Sequence, residues 1–166
     1  MGKMMKVVAI VVLLVTIAGA GALLYAVNHL SPVVMQTGVM ITPAQEAQEV
    51  FDAAAAQLAN ETFRGRVFSD VAGLRAEECV FMTYTVRLEN KGFFPAEWVS
   101  LDIHPAESGK DICQLDNYSA NVLGSRTQGD IAATVLTQSD GTETQRRYTV
   151  TSYVLGKKNV IEGTVQ

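Results

Sequence analysis

Residues 80–89 read VFMTYTVRLE. Val80, Met82, Tyr84, Val86 and Leu88 fall on one face of an extended chain, and Thr83, Thr85, Arg87 and Glu89 fall on the other. A period of two with apolar residues on one side marks a strand with one face on a core and the other in water. A slip of one residue would turn all five apolar side chains outward, so such a run also specifies its own register.

The same pattern continues toward the C-terminus. Val99, Leu101 and Ile103 point one way, with Glu97 and Asp102 the other; Ile131, Ala133 and Val135 follow; Asp140-Gly141 is a turn signal. Tyr148, Val150, Ser152 and Val154 come next, then Val160, Ile161 and Val165. Upstream, Phe63, Val67 and Val71 alternate less cleanly with Arg64, Arg66 and Asp70. Strands bounded by turn signals over about 100 residues, with no helix among them, predict a mainly β fold: an immunoglobulin-like antiparallel β-sandwich over residues 62–166.

The segment YTVRLENKGFFPAEWVSLDI, Tyr84 to Ile103, runs strand, Asn90-Lys91-Gly92, a proline step at Pro95, then strand. It resembles the v-x-N-x-G-x-x-P-A-x-x-V-x-V signature of small bacterial membrane-anchored Ig-like surface modules, the cell-adhesion-related, fibronectin-like β-sandwich type among them. QGDIAATV, Gln128 to Val135, is similar to a later strand of such modules. The resemblance implies a sandwich and an outer-surface setting, and it carries no activity with it. Asn90 and Gly92 are expected to supply the positive φ values of a hairpin between two sandwich strands.

Before the strands, Thr42-Pro43-Ala44-Gln45 has the form of a capping box that opens a helix. Ala47, Val50, Phe51, Ala54 and Leu58 recur at helical spacing, so residues 42–60 are expected to form an amphipathic helix. Its apolar stripe needs cover, and the expected place is the sandwich near Trp98, with a partner helix as the alternative. Residues 28–41, NHLSPVVMQTGVMI, hold Pro32 and Gly38 and no clear period, and read as a connector.

Val7 to Val27 contains no charged residue. A run of that length suits a bilayer core of about 30 Å, whereas the apolar core of a cleavable signal spans about 7 to 15 residues. Ala18-Gly19-Ala20 and Ala20-Gly21-Ala22 offer small-x-small cleavage patterns, so processing competes with retention as a signal anchor. Retention is favoured because Leu23-Leu24-Tyr25-Ala26-Val27 continues the run. Lys3 and Lys6 precede the span, and no Lys or Arg follows until Arg64. The positive-inside rule then leaves residues 1–6 in the cytoplasm, puts a single-pass helix at 7–27 in the lipid bilayer, and sends the C-terminal domain outside. Setting aside Lys3 and Lys6, 11 of the 13 Lys+Arg remain against all 17 Asp+Glu, a formal charge of 11 − 17 = −6 outside. That balance argues against nucleic acid and against anionic headgroups as partners of the exported part.

Chemistry-bearing residues are sparse. Cys79 and Cys113 are the only cysteines, and outside the cell they form either one disulfide or two buried free thiols. Asp102, His104, Glu107 and Asp111 lie close in LDIHPAESGKD but lack the count and spacing of a metal site, and read as a solvated polar face. Glu77-Glu78 reads as a turn, and no catalytic or cofactor motif is present. Phe93, Phe94 and Trp98 form a candidate interaction patch, either exposed or under the helix. The expected function is a membrane-anchored extracytoplasmic binding or adhesion module without catalytic activity, engaging a protein or cell-surface partner. The alternative is a structural subunit, pilin-like or accessory to a membrane complex, although MGKMMKVVAI lacks the acidic residue a pilin start would carry.

Overall fold

The computed structural model describes residues 2–29, 32–69, 73–115, 121–138 and 141–165. Helix α1 (Gly2–His29) carries the apolar run, and its window Val7–Tyr25 is long and apolar enough to cross a membrane. Two antiparallel sheets follow. The first has the order β1 (Val33–Pro43), β3 (Val80–Glu89), β7 (Gln128–Thr137), β5 (Asp111–Gln114), β2 (Arg66–Val67). The second has the order β6 (Asn121–Leu123), β4 (Ala96–Ile103), β8 (Arg146–Val154), β9 (Lys157–Val165).

The alternating runs face each other across the layer between the sheets. Met82, Tyr84, Val86 and Leu88 of β3 meet Val99, Leu101 and Ile103 of β4, with Ile131, Ala133 and Val135 of β7 and Tyr148, Val150 and Val154 of β8 in the same cluster. All are buried, because each strand turns its apolar period inward. Val160 of the last run points outward instead, and Ile161 packs on the core.

A second apolar layer lies on the outer face of the first sheet. Phe81, Ile112 and Leu136 project away from the sandwich interior and are buried together with Ala44 and Phe51. Phe51 belongs to helix α2 (Gln48–Ala59), which follows a 3₁₀ turn at Ala44–Ala47 and lays Phe51, Ala54 and Leu58 toward the sheet. The helix therefore covers the first sheet and not Trp98, which belongs to the second. Val50, expected in the buried stripe, is 49% exposed.

Three further readings change. Residues 33–43, expected within or just after a connector, form an edge strand paired with β3 from Val33↔Glu89 to Pro43↔Val80. Its period was masked because Val34 and Val39 pack inward while Val33, Met35, Met40 and Ile41 stay exposed, leaving both faces apolar. The capping box is absent: Thr42 pairs with Phe81 in the ladder, and neither helical turn has a side-chain cap bond. Asn90 and Gly92 do not form a hairpin, since β3 and β4 belong to different sheets, and neither residue has positive φ. Asn90 is instead fully buried: Nδ2 donates to Phe94 O at 2.8 Å and Gly124 O at 3.0 Å, and Oδ1 accepts from Gly92 N–H at 2.9 Å. Of the first weak run, only Arg66 and Val67 are strand; Asp70, Val71 and Asp140 lie outside the described residues.

Phe51→Ala should destabilise the full chain by about 3–5 kcal/mol through lost burial and a cavity, while Val50→Ala should change it by about 0.5 kcal/mol or less. Denaturant unfolding in detergent, followed by far-UV circular dichroism, measures both; equal effects would contradict the assigned helix face.

Candidate interaction surface

The residues first weighed for metal binding are drawn apart by the fold. Asp102 reaches Arg66 Nη1 at 3.2 Å on the surface, His104 Nε2 shares a hydrogen bond with Thr149 Oγ1 at 2.8 Å, and Glu107 is exposed. Asp111, expected on a solvated face, is buried. Its Oδ2 accepts from Arg146 Nε at 2.8 Å and its Oδ1 from Arg146 Nη2 at 3.0 Å, a two-point pair between β5 of one sheet and β8 of the other. Ala106 N–H donates to Asp111 Oδ2 at 2.8 Å, and Arg146 Nη1 donates to the carbonyls of Glu143 and Gln145, so both ions are saturated. No group of three or more His, Cys, Asp or Glu side chains that could hold a metal ion occurs among the described residues. Glu77 and Glu78 lie in a 3₁₀ turn (Ala76–Glu78) just before β3.

Cys79 and Cys113 are both buried and free. Cys113 lies opposite Leu136 on β7, and Leu136 lies opposite Phe81 on β3, two residues beyond Cys79. Both thiols belong to the buried cluster under helix α2 and are unbonded in the structure. Burial, with Cys79 adding to it, pushes the Cys113 thiol up to about 12, and burial with Glu78 raises Cys79 as well, so neither offers a thiolate at neutral pH.

The aromatic patch divides in three. Phe94 turns inward and packs on the core. Phe93 is 60% exposed, with the Arg126 guanidinium 4.5 Å above its ring. Trp98 is 66% exposed and sits in a bulge of β4, where the register shifts against both β6 and β8. Ala96 and Val99 keep their inward positions, so Glu97 and Trp98 are both extruded. Trp98 adopts φ 51°, a left-handed conformation that strains a bulky side chain by about 1–3 kcal/mol. Val122 of β6 falls opposite the bulge and is exposed, and half-buried Tyr153 of β8 pairs with Glu97, so Trp98 has apolar neighbours at its end of the second sheet's outer face.

Four non-glycine residues among those described have positive φ: Glu61, Trp98, Arg126 and Leu155. The last three share one end of the sandwich. Arg126 follows β6, and Leu155-Gly156 forms the two-residue turn between Val154 and Lys157. Both turn residues have φ > 0, as a type I′ turn requires, yet leucine stands where asparagine or aspartate would be relaxed. Leu155 is 53% exposed, so no burial offsets that strain. Sequence patterning located Trp98 as outward-facing; the Arg126 and Leu155 conformations had no sequence signal beyond Gly156.

No family model and no curated protein matches the chain.

Burial alone would push the Asp111 carboxyl up, but hydrogen bonds from Arg146 and the Ala106 N–H outweigh it and hold it below the usual carboxylate range. The ion pair's contribution is therefore complete above an unfolded value of about 3.9 and is lost as pH falls through the lower folded value. Asp111→Asn should cost about 3–5 kcal/mol at neutral pH by leaving Arg146 buried without its counter-ion. It should also flatten the acid limb of the stability profile below about pH 4. Urea unfolding across pH measures both; an unchanged acid limb would contradict the assignment.

Proposed function

We propose that the chain is a membrane-anchored extracytoplasmic module of immunoglobulin-like type that binds a protein partner without catalysing a reaction. The Ig-like reading is supported by strand order: β1-β3-β7-β5 corresponds to A-B-E-D, and β6-β4-β8-β9 to C′-C-F-G, with β5 preceding β6 in the chain as the departure. The anchored reading is supported by the apolar window Val7–Tyr25, with Lys3 and Lys6 before it and none of its described side chains buried.

The observation that carries the binding reading is Trp98, held out at 66% exposure in a strained bulge. A fold under selection for stability alone would relax that position to glycine, and exposed tryptophan is the residue type most enriched among interface anchors. The second reading, an accessory subunit of a membrane complex, gains from the tether. Only residues 30–32 separate α1 from β1, a reach of about 14 Å even when fully extended. So short a link favours partners in the same membrane over adhesion to a distant surface.

Replacing Trp98 with a photoreactive phenylalanine in the full chain, in its native membrane, should give a discrete protein adduct, and the same replacement at exposed Thr164 should not. Trp98→Gly should hold or raise the melting temperature while abolishing the competition that the unmodified chain offers against that adduct. A chain with no protein adduct at position 98 would sink the binding reading.

A further inference from the structure

The end of the sandwich where the chain leaves α1 differs in character from the rest. Val33, the first residue of β1, pairs with Glu89, the last of β3, and Glu89 pairs with Gln128, the first of β7. The β3–β4 loop with Lys91 and Phe93, the Arg126 loop and the Leu155-Gly156 turn all lie at this end, because β4 starts here and Glu97 pairs with Tyr153 near the end of β8. The opposite end carries exposed Glu46, Glu77, Glu78, Glu107 and Glu143.

We infer that the end bearing Phe93, Leu155, Lys91, Arg126, Lys157 and Lys158 rests on the anionic headgroup layer of the bilayer that Val7–Tyr25 enters. The inference rests on the anchored reading above and deepens it by naming the lipid surface as a ligand of the folded domain.

Three independent features converge. The first is reach: four helical residues from Tyr25 to His29 rise about 6 Å, and residues 30–32 bring Val33 within about 14 Å more. The interfacial layer itself occupies about 5–8 Å per side, so this end cannot leave the neighbourhood of the headgroups. The second is side-chain chemistry. Phe93 and Leu155 are exposed apolar tips, and Arg126 over the Phe93 ring places a cation beside an aromatic ring. Aromatic side chains with adjacent Lys or Arg suit the headgroup boundary, where one part meets acyl chain and the other meets phosphate. The third is charge. Outside the span the formal charge is −6, yet this end gathers Lys91, Arg126, Lys157 and Lys158 against Glu89 and Glu97, with Lys91 3.3 Å from Glu89. The charges counted at this end thus sum to 4 − 2 = +2 although the exported part as a whole is acidic, and a surface responds to the charges within a Debye length of about 10 Å. Positive φ at Arg126 and Leu155 holds these side chains on turns whose conformation asparagine or glycine would adopt without strain.

Trp98 is the only tryptophan in the chain and lies at this end, so it reports the distance directly. The full chain is reconstituted into phosphatidylcholine–phosphatidylglycerol vesicles carrying a nitroxide on the choline headgroup, with phosphatidylcholine-only vesicles in parallel. Strong quenching of Trp98 is expected in the anionic vesicles, weakening in the neutral ones and on addition of salt. A variant with Lys157→Gln and Lys158→Gln should lose about fivefold in the docked-to-undocked ratio for each lysine removed, and Phe93→Ser with Leu155→Ser should lower it further. Silence of Cys79 and Cys113 toward a thiol reagent confirms that each variant is folded. Quenching that ignores lipid charge, salt and these substitutions would reflect the tether alone and overturns the inference. A chain that alkaline carbonate releases from the vesicles instead overturns the anchored reading, and this inference with it.

Discussion

Asp111 and Arg146 join the two sheets through a two-point pair that water cannot reach. An ion buried in this way is tolerated only if every polar atom finds a partner in good geometry, so the pair dictates how the sheets meet. β5 is a strand of four residues, all buried, and its two ends both cross the interface. At one end Asp111 grips β8; at the other, Gln114 accepts from Ile103 N–H at 2.8 Å and donates to Leu101 O at 2.9 Å, occupying the edge of β4 beyond β6. No buried side-chain nitrogen or oxygen among the described residues lacks a partner. Sliding one sheet on the other by a residue would orphan several of these atoms, at about 1–3 kcal/mol each.

That constraint reaches the proposed binding surface. With the register fixed in the interior, strain can be held at the margins, and it collects at Trp98, Arg126 and Leu155. Asn90 serves the same end from inside, tying the β3–β4 loop to the close of β6 through Phe94 and Gly124 carbonyls, so Phe93 is presented from a braced loop. The acidic and basic ends follow from the same topology, since loops after β4 and β7 go one way and those after β3, β6 and β8 the other.

What the sequence revealed depends on how many faces of each element are covered. β3, β4, β7 and β8 were legible because the side facing the other sheet is uniformly apolar. β5 escaped notice because helix α2 and the second sheet cover both its faces, which erases alternation from Asp111-Ile112-Cys113-Gln114. β1 was lost for the opposite reason, as an edge strand whose exposed face is also apolar. Helix α2 was recognised from Phe51, Ala54 and Leu58, but its place was not, since a stripe says that cover exists and not which surface supplies it. Asp111 and Trp98 mark the same limit: a polar residue in sequence carries no sign of its counter-ion 35 positions away, and a bulge arises from pairing that only the folded sheet displays.

The account turns on the sandwich standing outside the membrane with its N-terminus inside. Single-cysteine accessibility in intact cells tests this most directly, because the native thiols are buried and carry raised pKa values. With a membrane-impermeant maleimide, Thr164→Cys and Ser108→Cys should be labelled in intact cells or spheroplasts, Met4→Cys only after permeabilisation, and the unmodified chain not until it is unfolded. Labelling of Thr164→Cys only after lysis would contradict the topology, and with it the functional reading built on it.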